Sequence, residues 1–199
     1  MLQSSDETLA DLQKEATDAY ALPGQKRISV VSRAPGEVAA LRFDEAVAAL
    51  AGVADRGAIA RIVLRYALSR FRRAVLLTVH GRGADGWEGM GEGLTPQTVA
   101  RVHVPLGKPG VVQTVVESRS HVLGPLAKTE ANIALLRGLG GGAPRTSFAM
   151  PVLARGQVVN VLYADDGRGR MVNPEGLGEL LILAAKISQS YDLLLARAR

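Results

Sequence analysis

Tandem carboxylates close the run VVNVLYADDG, where Asp165 and Asp166 follow a β-branched stretch and precede Gly167. In template-copying polymerases a turn of this composition carries two metal-binding acids. That chemistry also needs a third carboxylate on a neighbouring strand, two metal ions and a palm with fingers around template and primer. A chain of 199 residues leaves too little length for that assembly, and its comparable acid, Asp85, falls in a turn-like segment. The competing reading is strand termination, because Asp bonds its own backbone and Gly accepts positive φ. Strand termination is the expectation.

Other segments offer chemistry and fail on context. GRGADG, Gly81 to Gly86, spells the dinucleotide fingerprint after a strand, but that fingerprint must launch a helix. The following WEGMGEG has glycine at alternate positions, each costing about 1 kcal/mol in a helix interior, so it reads as a hairpin turn and return strand. His80, His103 and His121 lack the helical i, i+4 spacing of a zinc site, and no metal is expected. The chain has no cysteine, which removes disulfides, thiolate metal sites, thiol catalysis and thioether-linked bilins. No G-x-S-x-G elbow or P-loop occurs, and the expectation is that the chain is not an enzyme. Trp87, the sole tryptophan, stands beside glycines where it could floor a ligand pocket or fill a core.

The elements that would position these residues follow from periodicity. Residues 1–40 lack a sustained apolar period and read as an extension or linker, partly disordered, with a short helix near residues 6–20. From Asp44 to Phe71 helical spacing sets in, with Ile59, Ile62, Val63 and Tyr66 on one side and Asp55 as a cap for the second half. RRAVLLTVH is a strand, and its return partner carries glycines that make room for something close above it. RVHVPL is extended, Pro109 opens a helix over VVQTVVES, and KTEANIALLRGL is a helix closed by Gly140 to Gly142. RTSFAMPVLARG and QVVNVLYADDG form a hairpin turning at Arg155 and Gly156, with Pro151 marking an edge or irregular position. Strand pairs on tight turns, with a helix at each end, predict an α+β domain with an antiparallel sheet covered on one face by its terminal helices.

The last helix is apolar around far more than the stripe of about 100° that a sheet requires. A helix from a second copy is the expected cover, with Leu180, Leu183, Ile187, Tyr191 and Leu194 as dimer contacts.

Charge and hydropathy bound the partners. The net charge is +5, carried mostly by arginine, with a concentration at Arg61, Arg65, Arg70, Arg72 and Arg73. No aromatic ladder accompanies it, so nucleic acid is not the expected partner. A nucleic-acid-associated transcriptional regulator using this basic first helix is the alternative function. The start of the chain lacks a basic, apolar leader, and no apolar run reaches the roughly 18 residues of a spanning helix. The expectation is a cytoplasmic chain without membrane insertion.

The order Met150 to Leu153, Arg155 and Gly156, Val161 to Asp165 and then a helix over Glu175 to Ala196 resembles the closing portion of GAF domains. There a VPL-like strand centre, an RG turn, a VLYxD strand and an amphipathic helix follow in that order. Ala74 to Leu94 is similar to the family's opening hairpin, so the resemblance covers residues 42–199, with the domain at 41–199. It implies a GAF/PAS-like central antiparallel sheet of five or six strands, terminal helices on one face and a small-molecule pocket on the other. It also implies a sensory or regulatory role through dimerisation, a signalling protein partner and optionally a small molecule. Residues placed near such a pocket are Thr78, His80, Trp87, Met90, Phe148, Met150 and Tyr163. The bilin cysteine and the NKFDE-type cyclic-nucleotide signature have no counterpart here, so the resemblance names no cofactor.

Overall fold

A computed structural model of the chain describes residues 39–167 and 177–197, the side chains of 177, 195 and 197 apart. The expected extension over 1–40, its short helix and the helix-opening Pro174 and Glu175 lie outside the described residues, save 39 and 40.

The helical pattern after Asp44 resolves into two helices, α1 (Phe43–Ala51) and α2 (Arg56–Ala67), parted at Gly52. Asp55 caps the second, its carboxylate accepting from the Ala58 amide at 2.7 Å. Strand β1 (Arg73–His80) turns at Gly81 and Arg82 into β2 (Gly83–Gly91). Ala84 and Asp85, expected in the turn, thus belong to the return strand. A short α3 (Pro96–Val99), β3 (His103–Pro105), α4 (Val111–Ser118), β4 (Val122–Gly124) and α5 (Glu130–Gly138) follow. The chain then forms the hairpin of β5 (Ser147–Ala154) and β6 (Gln157–Asp165), and α6 (Leu177–Arg197). Arg155 and Gly156 make the β5–β6 turn with positive φ of 50° and 74°, as a primed hairpin turn demands.

All six strands form one antiparallel sheet in the order β3-β2-β1-β6-β5-β4. Pro151 lies past the end of β4, which pairs only with Ser147 to Ala149, so its missing N–H costs the sheet nothing on that side. The central strands are buried on both faces. Ala74 and Leu76 of β1 and Leu162 and Ala164 of β6 face a first core, completed by α1, α2 and α6. Val75, Leu77, Val161 and Tyr163 face a second core, built from α4, α5, β3 and Val99 of α3. The terminal helices therefore share one face of an α+β sheet.

What sits close above β2 is α3. A Cβ on Gly86 would stand 2.0 Å from the Val99 carbonyl oxygen, and one on Gly89 would stand 2.6 Å from Val99 Cγ2. The glycines thus admit the chain's own helix. On the other face the Tyr66 hydroxyl donates to Glu179, which also accepts from Arg70 at 2.8 Å, joining α2 to α6. Burial, then the Glu179 carboxylate, push the Tyr66 phenol up to about 12.

Two outcomes test this packing. Gly86→Ala should lower stability by about 3 kcal/mol in chemical denaturation, since backbone oxygen cannot yield as a side chain would. For Tyr66, a folded pKa above the unfolded value of about 10 means its contribution is complete below pH ~10 and is lost as pH rises through ~12. Melting temperatures across that window should fall less steeply for Tyr66→Phe than for the parent chain.

Candidate functional site

The tandem aspartates end β6 inside the protein. Asp165 is fully buried, and its carboxylate accepts from Arg73 Nε, the Tyr163 hydroxyl and the Gly167 amide, each at 2.8 Å. Arg73, 7% exposed, also donates from Nη1 to the Leu139 carbonyl at 2.7 Å. Asp166, 2% exposed, accepts from the Arg145 amide at 3.1 Å. Burial, followed by the Asp165 charge, pushes the Tyr163 phenol far up, so it stays a proton donor to that carboxylate. Three donors on one buried carboxylate are what make its charge tolerable. YADD is therefore a strand end clamped to Arg73. No group of three His, Cys, Asp or Glu among the described residues could hold a metal ion.

The seven residues expected around one pocket do not converge. Phe148 and Met150 lie in the first core, and Trp87 and Met90 pack against it. Trp87 is the extra residue of a bulge between Leu76 and Leu77, and the Arg56 guanidinium sits 4.9 Å from its ring centroid. Thr78 pairs with Asn160, whose amide donates to the Thr78 hydroxyl at 3.1 Å while the Tyr191 hydroxyl of α6 donates to the Asn160 oxygen at 3.1 Å. Tyr163 alone lies in the second core, where side chains of α4, α5 and β3 cover the sheet. His80 is exposed at the hairpin end. The physical reason is strand parity, since neighbours in sequence point to opposite faces.

The expected dimer contacts are corrected in the same way. Leu180, Leu183 and Ile187 are fully buried and Tyr191 is 5% exposed, all in the chain's own first core, with Leu194 packed against it. Their surface is spent on the sheet. Exposed on α6 are Leu181, Ile182 and Leu193.

Sequence reasoning missed two polar clusters. Asp85 bridges β1 and β3, one carboxylate oxygen on His80 Nε2 and the other on His103 Nδ1. The hydrogen bond from His103, then that from His80, hold its carboxyl below the usual range. Alternation along β2 and the His103 pairing position are the signals that could have placed it. The other is a small cleft lined by Arg73, Glu92, Gly93, Leu139, Gly140, Gly141, Gly142 and Gly167. No local pattern joins glycines so far apart in the chain.

The buried clamp sets the cost of losing either aspartate. Asp165→Asn strands a desolvated guanidinium and should cost about 3–5 kcal/mol in urea unfolding. Asp166→Asn, which disturbs one accepted hydrogen bond, should cost about 1 kcal/mol.

No protein-family model matches the sequence, and no curated protein matches it. Solved structures do match. The GAF domain of an Acinetobacter phosphoenolpyruvate-protein phosphotransferase is 17% identical, with a TM-score of 0.62 over 77% of this chain and 92% of that one. The phycoerythrobilin-bound GAF domain from a cyanobacterial phytochrome is 9% identical, with a TM-score of 0.61 over 79% and 98%. A free methionine-R-sulfoxide reductase from Neisseria meningitidis, in complex with its substrate, is 15% identical, with a TM-score of 0.55 over 78% and 89%. The last of these corrects one expectation: enzymes share this architecture, so the expectation that the chain is not an enzyme does not stand. The likeness is one of fold, and the fold is that of GAF domains.

Proposed function

We propose that this chain is a sensory or regulatory module that pairs with a second copy through α6 and, so paired, engages a signalling protein. The observation that carries this reading is the outer face of α6. Gly178, Ile182, Ala185, Gln189, Leu193 and Ala196 are all exposed and recur with the period of a straight helix, forming an uncharged stripe. Ile182 and Leu193 are 54% and 53% exposed, and Leu181 on the flank is 38% exposed. Burying such a side chain is worth about 1.5–3 kcal/mol. The small residues between the large ones let two backbones approach closely.

A second copy is the occupant that this stripe fits. A two-fold pairing sets the stripe against itself, which requires that it carry no net charge of its own, and it carries none. Lys186 and Asp192 flank it with opposite signs on the two sides, where a partner helix can complement them. The regulatory part of the reading draws support from the phosphotransferase and phytochrome GAF domains, which share the fold. No described helix is long and apolar enough to cross a membrane.

The nucleic-acid alternative fares worse, because four of its five arginines already have partners. Arg65 donates to the Ala39 carbonyl at 2.8 Å, Arg70 pairs with Glu179, Arg72 pairs with Glu92 at 3.2 Å and Arg73 is buried. Releasing counterions from phosphates needs free cations on one face.

Sedimentation equilibrium at micromolar concentration should show a dimer for the parent chain and a monomer for the double variant Ile182→Asp, Leu193→Asp with unchanged circular dichroism. Leu183→Asp, by contrast, should unfold the chain. A parent chain that sediments as a monomer throughout this range rejects the pairing.

A further inference from the structure

At the end of the sheet where β1 begins and β6 stops lies the glycine-lined cleft, of about 110 Å³. Its walls are mostly backbone: Gly93 beyond β2, Gly140 to Gly142 between α5 and β5, and Gly167 beyond β6. The charged side chains that line it are Arg73 and Glu92. From this arrangement we propose that the cleft binds a small singly charged carboxylate, which completes the hydrogen bonding of Arg73.

Arg73 retains an unmet donor. Its Nε is committed to Asp165 and Nη1 to the Leu139 carbonyl, but Nη2 is buried and has no partner. An orphaned donor on a charged, desolvated group is among the more costly defects a fold retains, and native structures rarely leave one without a reason. The residue beside it is a glycine. A carbon built on Gly142 would meet Nη2 at 3.4 Å and nothing else within 4 Å, so glycine leaves open the position next to the guanidinium. Nη2 itself is closed to bulk water, so an entering oxygen reaches it from the position beside Gly142 only as the surrounding chain shifts. Gly140, Gly141 and Gly142, at φ of 85°, 84° and 113°, form the segment with the most freedom to do so.

Charge selects the ligand class. The Arg73 cation is already paired with Asp165, Glu92 is held by Arg72 at 3.2 Å, and Asp166 beside the clamp is a further buried carboxylate, so the surroundings tolerate one added negative charge better than two. A carboxylate brings one charge and a flat pair of acceptors that match a guanidinium edge. A phosphate dianion brings a second charge toward Glu92. The size of the cleft restricts the ligand to a head group of a few heavy atoms. The site is independent of pairing through α6, and a monomeric chain would bind equally.

Titration of the full, isotopically labelled chain with sodium acetate, at ionic strength matched with sodium chloride, tests this by amide and arginine side-chain NMR. Saturable shifts should appear at Gly93, Gly140 to Gly142, Gly167 and the Arg73 Nε–H, with inorganic phosphate weaker. Glu92→Gln, a surface change, should tighten acetate several-fold. Gly142→Ala, whose methyl occupies the open position, should weaken it about tenfold. Arg73→Lys should do the same if it folds, and the other two variants decide the matter if it does not. Shifts no different from those with chloride, phosphate bound as tightly as acetate, or affinities unmoved by both Glu92→Gln and Gly142→Ala would each overturn the assignment.

Discussion

The ion pair between Arg73 and Asp165 is the constraint on which the rest of the molecule depends. Removing two charges from water costs several kcal/mol per ion, and their attraction offsets this only where further hydrogen bonds surround them. Asp165 takes three donors and Arg73 reaches a second acceptor, so the geometry is fixed from several directions. Because Arg73 is the first residue of β1 and stands opposite Asp165, the last of β6, the pair also fixes the register of the two central strands. A one-residue slip of β6 against β1 would exchange the two faces of β6, sending Leu162 into the second core and Tyr163 into the first. The Leu139 carbonyl brings the segment after α5 into the same clamp.

That register explains what the sequence revealed and what it concealed. Helices announced themselves through period, Asp55 as a cap, and Arg155 with Gly156 as a hairpin turn, because each signal is local. The GAF-like order of the last third was legible for the same reason. Strands buried on both faces lose the alternation that tells one side from the other, and AVLL and VLYA are continuous apolar runs. Nothing in those runs says that Phe148 and Met150 face the terminal helices while Tyr163 faces away. The bulges at Trp87 and between Val152 and Leu153 shift parity again within β2 and the β5–β6 pair, and neither has a sequence signature here. Candidate pocket residues chosen by type therefore scattered over two cores and a hairpin end.

The glycines of β2 were legible in part. Their spacing said that something approaches the strand closely, and something does. The occupant is α3, four residues capped by Thr95, too short for any periodic pattern to expose. Gly140 to Gly142 were legible as the stop of a helix, but not as the wall of a cleft. That role depends on Gly93 and Gly167 arriving from the ends of other strands, a long-range fact set by the sheet order.

Helix α6 shows how one sequence feature can carry two demands. Its apolar surface exceeds what a sheet can cover, which is why a second contact is expected from area alone. Assigning residues to each contact needs the phase of the helix. Leu180, Leu183, Ile187 and Tyr191 fall on one side, while Ile182, Gln189 and Leu193 fall opposite, with Lys186 and Asp192 on the flanks of the outer stripe. The buried leucines went to the core because the sheet offers Phe148, Met150 and Leu162 as packing partners there. The outer stripe instead intersperses small residues with two large ones, a composition suited to another helix and poorly suited to a flat sheet. Its period follows 3.6 residues rather than 3.5, so two such helices would pack over a short crossing and not wind into a long coiled coil.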